Sequence, residues 1–428
     1  MPSVLEPPLP VVNCEHKLWA QNDGFPPACA DEPFYALHEG KNYCVLHYPD
    51  STKATDFRRA LQKKLDAHDY NFRGVWFPSE LNLEKYVFGS NAYFNSVTFS
   101  GIADFSNATF EKDAEFFSAH FNSKAKFNTV TFKSNASFVG TTFIEDAEFR
   151  AAKFEADAYF NGASFAKNAD FFSATFSDLV RFTKPVSIQQ RSADSTSLNF
   201  QIARMEKPDH VFFHEIKLRP HWFVEVDPRK FNFIDVEWVG LLSGGYGIAD
   251  EIEVTKRKHI RSPNRLLAIA CQQLAVNAEE NSRYEEASKF RYWAMDARRR
   301  EKKGFFSIFR LHWFYWAVSG YGERSLRAFI FLIGIWLLFA FLYTQVGFLR
   351  WEPKISSAED VMTAKTDETG TPLRPLNAAL YSLGVITLQK PDPKPATFTS
   401  QTLIAIETFL GPLQVALLAL AIRRQFMR

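Results

Sequence analysis

Cys14, Cys29, Cys44 and His47 have metal chemistry available to them. The three cysteines are evenly spaced, with fourteen residues between neighbours, and Cys44-Val45-Leu46-His47 is a short pair able to grip one ion from a single turn. Zn²⁺ takes three thiolates and an imidazole tetrahedrally, and a short segment poor in apolar residues gains folding energy from it. Such a site would be closed and structural. The first two cysteines lack a short pairing, and His16 and His38 are substitutes, so three ordinary buried cysteines are the alternative. Near the other end Glu407, Gly411 and Gln414 fall at i, i+4 and i+7, one stripe of a helix. A carboxylate in an apolar segment faces protein or water. Glu407 therefore reads either as part of a cation-favouring ring or as hydrogen-bonded packing. The sequence has no Gly-rich phosphate loop, activated-nucleophile pattern or metalloprotease helix, so an enzyme is not expected.

These residues lie in a chain of 428, too long for one core. With 50 Lys+Arg against 48 Asp+Glu there is no electrostatic case for nucleic acid as a partner. Four cysteines exclude a disulfide-built scaffold. The start, MPSVLEPPLP, does not read as a secretory signal. Ala328 to Leu349 is a run of 22 residues without a charge, and Leu403 to Ile422 a run of 20 broken only by Glu407. Both are long enough to cross a bilayer as helices. Arg298, Arg299, Arg300, Lys302, Lys303, Arg310, Arg324 and Arg327 precede the first run, and Arg423, Arg424 and Arg428 follow the second. The connection between them is balanced, so the positive-inside bias puts both termini in the cytoplasm, and a bacterial inner membrane is the expected site. A reducing compartment favours metal or free thiol over disulfide.

From Phe72 to Phe182 the steps between aromatic positions alternate five and six, and 20 of 21 slots hold Phe, with Leu83 in the other. Two before each, from Phe94 on, stand 13 Ala, three Val and one Thr. On a helix, steps of five and six rotate by about 140° and 240°, which would split the Phe between two faces. A β-solenoid fits, with large Phe and small Ala inward and polar residues outward. Ala103 to Phe110 (ADFSNATF) and Ala156 to Phe165 (ADAYFNGASF) resemble the pentapeptide-repeat family. That resemblance implies a right-handed quadrilateral β-helix with 22-residue coils, here about five of them in a rod of roughly 24 Å. The added residue in alternate units requires one corner per pair to bulge. Thirteen acids and ten bases make the segment too weakly charged for the DNA mimicry known in that family, and a spacer or docking surface for an unidentified cytoplasmic protein is expected.

The organisation read from the sequence is a Cys/His module over 1–54, a capping helix over 55–71 and the solenoid over 72–183. An irregular solenoid cap over 184–262 follows, then a helical hairpin connector over 263–303. The hairpin resembles a tetratricopeptide pair. An interfacial aromatic helix over 304–324 and a membrane domain over 325–428 complete the chain. The Gly-Tyr-Gly triplets at 245–247 and 320–322 precede both spans and are not read as a filter.

Leu376 to Leu388 (LNAALYSLGVITL) is apolar but too short to cross, which suits a re-entrant segment or a surface helix. Followed by IETFLGPLQVALLALAIRRQF, it resembles the pore helix and inner helix of the two-span potassium-channel-like pore module. The resemblance implies a homotetramer conducting monovalent cations, with its filter at Thr387, Leu388, Gln389, Lys390 and Asp392. Those positions lack the filter glycines, so potassium selectivity does not follow. The expected function is an oligomeric cation channel carrying a cytoplasmic solenoid as sensor or scaffold. The alternative is a membrane-anchored scaffold without a pore.

Overall fold

Residues 22 apart in the repeat lie side by side. Ala92, Ala114, Ala136 and Ala158 form one parallel ladder, which Val180 and Val211 continue. Short strands of this kind, most of them two residues long, make four parallel faces of seven, six, six and five strands. In this computed structural model the described residues are 14–15, 28–29, 32–184, 197–239, 248–257, 262–301, 311–322, 324–349 and 370–426.

The two kinds of step make two kinds of corner. In the five-residue step the chain turns tightly, as where the Ala108 amide donates to the Phe105 carbonyl at 3.1 Å across a left-handed Asn107. Ser96, Ser118, Thr129, Gly140, Ala151, Gly162 and Ser173 repeat that conformation every eleven residues, the pattern of a type II turn. The six-residue corner has an extra amide to satisfy. On one edge an Asn/Asp column does so. Asn91 accepts from the Asp113 amide, Asp113 from the Asn135 amide and Asn135 from the Asp157 amide, at 3.2–3.3 Å. The extra amide of the widened corner on this edge is thereby paired.

Inside, the Phe rings stack in columns. Phe72, Phe94, Phe116, Phe138, Phe160, Phe182 and Phe213 lie 4.8–5.3 Å apart, nearly parallel. Neighbouring columns meet edge to face, as Phe94 meets Phe105 at 5.5 Å and 80°. Each such pair adds about 0.5–1.5 kcal/mol beyond its buried area. Thr141 occupies an Ala slot and is buried because its hydroxyl donates to the Phe116 carbonyl at 2.7 Å.

The solenoid does not stop at Phe182. Ser197–Asn199, Arg204–Met205, Val211–His214 and Asn232–Ile234 extend its faces, giving about seven turns rather than five. The segment expected to be an irregular cap is in part further coil. The N-terminal end meets α1 (Ala54–Asp66), whose Phe57 packs edge-on against Phe77 at 5.2 Å. At the other end α2 (Ile248–Arg257) and α3 (Pro263–Glu280) pack against the turn Pro220–Phe223. There the Asn277 side-chain amide donates to the carbonyls of Pro228, Arg229 and Phe231.

The chain divides into two compact units at Arg283/Tyr284, so the expected hairpin connector is shared between them. The second unit holds α4 (Tyr284–Glu301), α5 (Leu311–Ser319), α6 (Ser325–Tyr343), α7 (Pro375–Ile386) and α8 (Phe398–Phe426). Of the expected interfacial helix, residues 304–310 lie outside the described ones, as do Gly245, Tyr246 and Gly247 of the first triplet. The second triplet is the turn between α5 and α6, with Gly320, Tyr321 and Gly322 all at positive φ. Helices α6 and α8 are long and apolar enough to cross a membrane, and only 17% of the most apolar window of each is buried. Helix α7 packs between them over a core of Phe339, Tyr343, Phe348, Ala378, Tyr381 and Val385.

Candidate metal centre and the polar seam of the apolar helices

The strand Lys41–Cys44 delivers Cys44 into a tight turn, where the His47 and Tyr48 amides donate to the Cys44 carbonyl. That turn sets His47 Nδ1 3.1 Å from Cys44 Sγ, and Cys14 Sγ lies 3.7 Å from the same nitrogen. Cys29 completes a group whose four ligand atoms all lie within 4.8 Å of one another, every residue buried. His47 Nε2 is 2.9 Å from the Arg73 carbonyl, so it carries the proton and Nδ1 is left to bind. These four residues could hold a metal ion. His38 packs instead against Tyr43 and Tyr48, and His16 lies outside the described residues.

The electrostatics of the cluster fit a cation. Hydrogen bonds from Cys29 and Cys44 drive Cys14 toward the thiolate, while the bond to Cys14 holds Cys29 as the thiol. Burial works against protonation of His47, but the Cys14 and Cys44 sulfurs outweigh it and push its pKa up to about 9. A divalent cation at the centre would replace those protons and take the group as thiolates and neutral imidazole. Every donor is buried, so the arrangement suits a closed site.

In the apolar helices the stripe faces protein. Glu407 is fully buried; its carboxylate accepts from the Tyr343 hydroxyl of α6 at 2.5 Å and from the Ser382 hydroxyl of α7. Gln414 donates to the Ala328 carbonyl of α6 at 2.7 Å. At Gly411 a Cβ would stand 2.9 Å from Ile386 Cγ1, so α8 and the last turn of α7 meet where only glycine fits. Glu407 is thus hydrogen-bonded within a single chain. Its partners Tyr343 and Ser382 were not singled out in the sequence. The available signal was a hydroxyl in an otherwise apolar run, which must find an acceptor.

The residues placed at the filter by resemblance end α7. The Leu388 amide donates to Val385 and the Gln389 amide to Gly384, with Leu388 at φ 59°, the pattern of a Schellman stop. The Thr387 hydroxyl donates back to Leu383 at 2.9 Å. Thr387, Leu388, Gln389, Lys390 and Asp392 are all exposed.

The path around α7 is defined by its contacts. Leu373, just before it, donates to Tyr343 at the end of α6. Further along, the Ala379 carbonyl accepts from Trp336 Nε1 at 2.9 Å and the Ser382 hydroxyl oxygen lies 3.3 Å from the Trp336 carbonyl, seven residues deeper in α6. The chain then returns. The Leu349 amide donates to Lys394 and the Ala396 amide to Gly347, beside the same end of α6.

Compared with known proteins, the chain matches no family model, no curated protein and no solved structure. Its fold defines a β-solenoid followed by helices, two of them able to span a membrane.

Proposed function

We propose that the chain is one subunit of a homo-oligomeric, cation-conducting membrane pore, with its solenoid in the cytoplasm as sensor or scaffold. One observation carries this reading. Helix α7 leaves the end of α6, reaches the depth of Trp336, and its following loop comes back to Gly347–Leu349. A short helix and loop that enter and leave on one side, between two spans, are the means by which a two-span protein lines a pore. In this reading α7 is re-entrant, the loop Thr387–Asp392 faces the axis, and four copies close the ring by resemblance to the potassium-channel-like module. The exposed loop, with Lys390 and Asp392 in place of filter glycines, supports conduction without potassium selectivity.

Membrane-impermeant thiol labelling tests the path. Cysteines placed at Thr371 and at Lys390 react from the same side of a sealed vesicle if α7 is re-entrant, and from opposite sides if it crosses. The endogenous cysteines are all buried.

The scaffold reading is favoured by a different observation. Glu407 and Gln414 find their partners within one subunit, so the polar stripe does not itself call for a water-filled axis. On that reading the two spans tether the solenoid near a protein partner and conduct nothing. In either case we read the Cys14/Cys29/Cys44/His47 cluster as a structural zinc site.

A further inference from the structure

We infer that this metal site is a latch. The ion bound by Cys14, Cys29, Cys44 and His47 holds the N-terminal module across the open end of the solenoid, and its loss frees the first coil. The inference rests on the zinc occupancy proposed above.

The first coil has an end to protect. Trp76–Phe77, Leu81–Asn82 and Val87–Phe88 are each the terminal strand of their face, so their outer amides and carbonyls lack a neighbouring strand. Two groups at that end are satisfied from within the four-residue segment bounded by the ligands Cys44 and His47. The Trp76 amide donates to the Leu46 carbonyl at 3.1 Å, and the Arg73 carbonyl takes the His47 Nε2 proton at 2.9 Å. The Leu46 carbonyl also accepts from the buried Lys53 ammonium at 2.7 Å, which lies over the rings of Phe57 and Trp76. One tight turn therefore carries two metal ligands on one side and covers the edge of the coil on the other.

Among the described residues of the N-terminal module and α1 the buried apolar side chains, besides the cysteines, are Ala28, Val45, Leu46, Phe57 and Ala60. Cys14 and Cys29 come from remote points of the chain and meet Cys44 at the ligand atoms. Without a cation, three buried sulfurs and an imidazole are joined by sulfur hydrogen bonds, those to His47 Nδ1 being 3.1 and 3.7 Å long. With a thiophilic divalent cation they become one covalent-like centre, and binding energy becomes folding energy for the module. His47 transmits it directly, because the ring that binds through Nδ1 is the ring that holds Arg73 through Nε2.

The test uses the full chain purified in detergent, with Zn²⁺ and Co²⁺ as probes. Elemental analysis should find about one zinc per chain, and cobalt should give the visible bands of a tetrahedral thiolate site. Removing metal with a chelator under reducing conditions should speed amide exchange over Phe72 to Phe88 by about tenfold or more, leave Ala125 to Phe154 unchanged, and be reversed by zinc. Cys44→Ser should reproduce the chelated state; if that variant does not fold, chelation of the unmodified chain gives the same reading. Fewer than about one metal per four chains after exposure to zinc would overturn the site. Stoichiometric metal whose removal leaves Phe72 to Phe88 protected would overturn the latch. Neither result depends on whether the membrane helices conduct.

Discussion

The carboxylate of Glu407 and the hydroxyl of Tyr343 meet at 2.5 Å in the interior of the helical unit, 64 residues apart in sequence. Ser382 joins them from α7, so one acidic side chain ties both of the other helices to α8. In an apolar surrounding each of these groups is costly without the others. Glu407→Leu should leave the Tyr343 hydroxyl unpaired and Ser382 with only the longer contact to the Trp336 carbonyl, lowering stability by roughly 2–4 kcal/mol, whereas Tyr343→Phe should cost about 1 kcal/mol. Thermal unfolding in detergent reads both. Combining Glu407→Gln with Tyr343→Phe should cost less than the sum of the two; simple additivity would show that the bond is not energetically coupled.

Gly411 should tolerate no side chain. A methyl there stands 2.9 Å from Ile386 Cγ1, and Gly411→Ala should destabilise the helical unit by about 1–3 kcal/mol. Trimming the other side with Ile386→Ala in the same chain should recover part of the loss. If the double variant melts below both single ones, the two helices do not meet at this point.

The left-handed corner at Thr129 (φ 57°) holds a β-branched residue where such residues are strained. Thr129→Gly should slow local amide exchange in its coil, corresponding to about 0.5–1 kcal/mol of relief. Gly140→Val, at φ 67° in the equivalent corner one coil-half later, should speed it. The opposite pair of outcomes would contradict the turn assignment.

Acid should loosen the charged ladders on the solenoid. Burial raises Asp104, but bonds from Ser106 and Lys126 hold it below its usual range; Glu148 is depressed likewise, by Lys124 and Asn128 against burial. A carboxylate lowered on folding stabilises above its unfolded pKa of about 4, and that contribution disappears as pH falls through the folded value. Exchange protection around Asp104 and Glu148 should therefore hold at pH 6 and decline below about pH 4. With Lys124→Met and Lys126→Met together, the acid-dependent part should shrink. An undiminished decline would place its origin elsewhere.

The repeat was legible because its interior admits little else. A Phe beneath a Phe and an Ala beneath an Ala, coil after coil, print the packing directly on the sequence. The last coils were not, because insertions stretch the interval between stacked partners from 22 residues to 29, as between Asp170 and Asn199, and the period dissolves although the ladder continues. The Cys/His group was visible as residue types. Only the fold brings Cys14 and Cys29, which have no short-range pairing, to the turn at Cys44–His47. Glu407 was visible as an anomaly in an apolar run, yet its role depended on Tyr343 and Ser382, ordinary residues until three helices pack. His221 and Glu251, a buried pair at 2.6 Å, carried no signal in the sequence at all.

Current across a bilayer tests the central claim most directly. Purified protein reconstituted under opposed potassium, sodium and chloride gradients should give reproducible unitary currents that reverse near the cation potentials, with little preference for potassium over sodium. Silence from the intact chain, together with silence from a chain shortened to begin at Phe305, would contradict a pore and leave the two apolar helices as a tether.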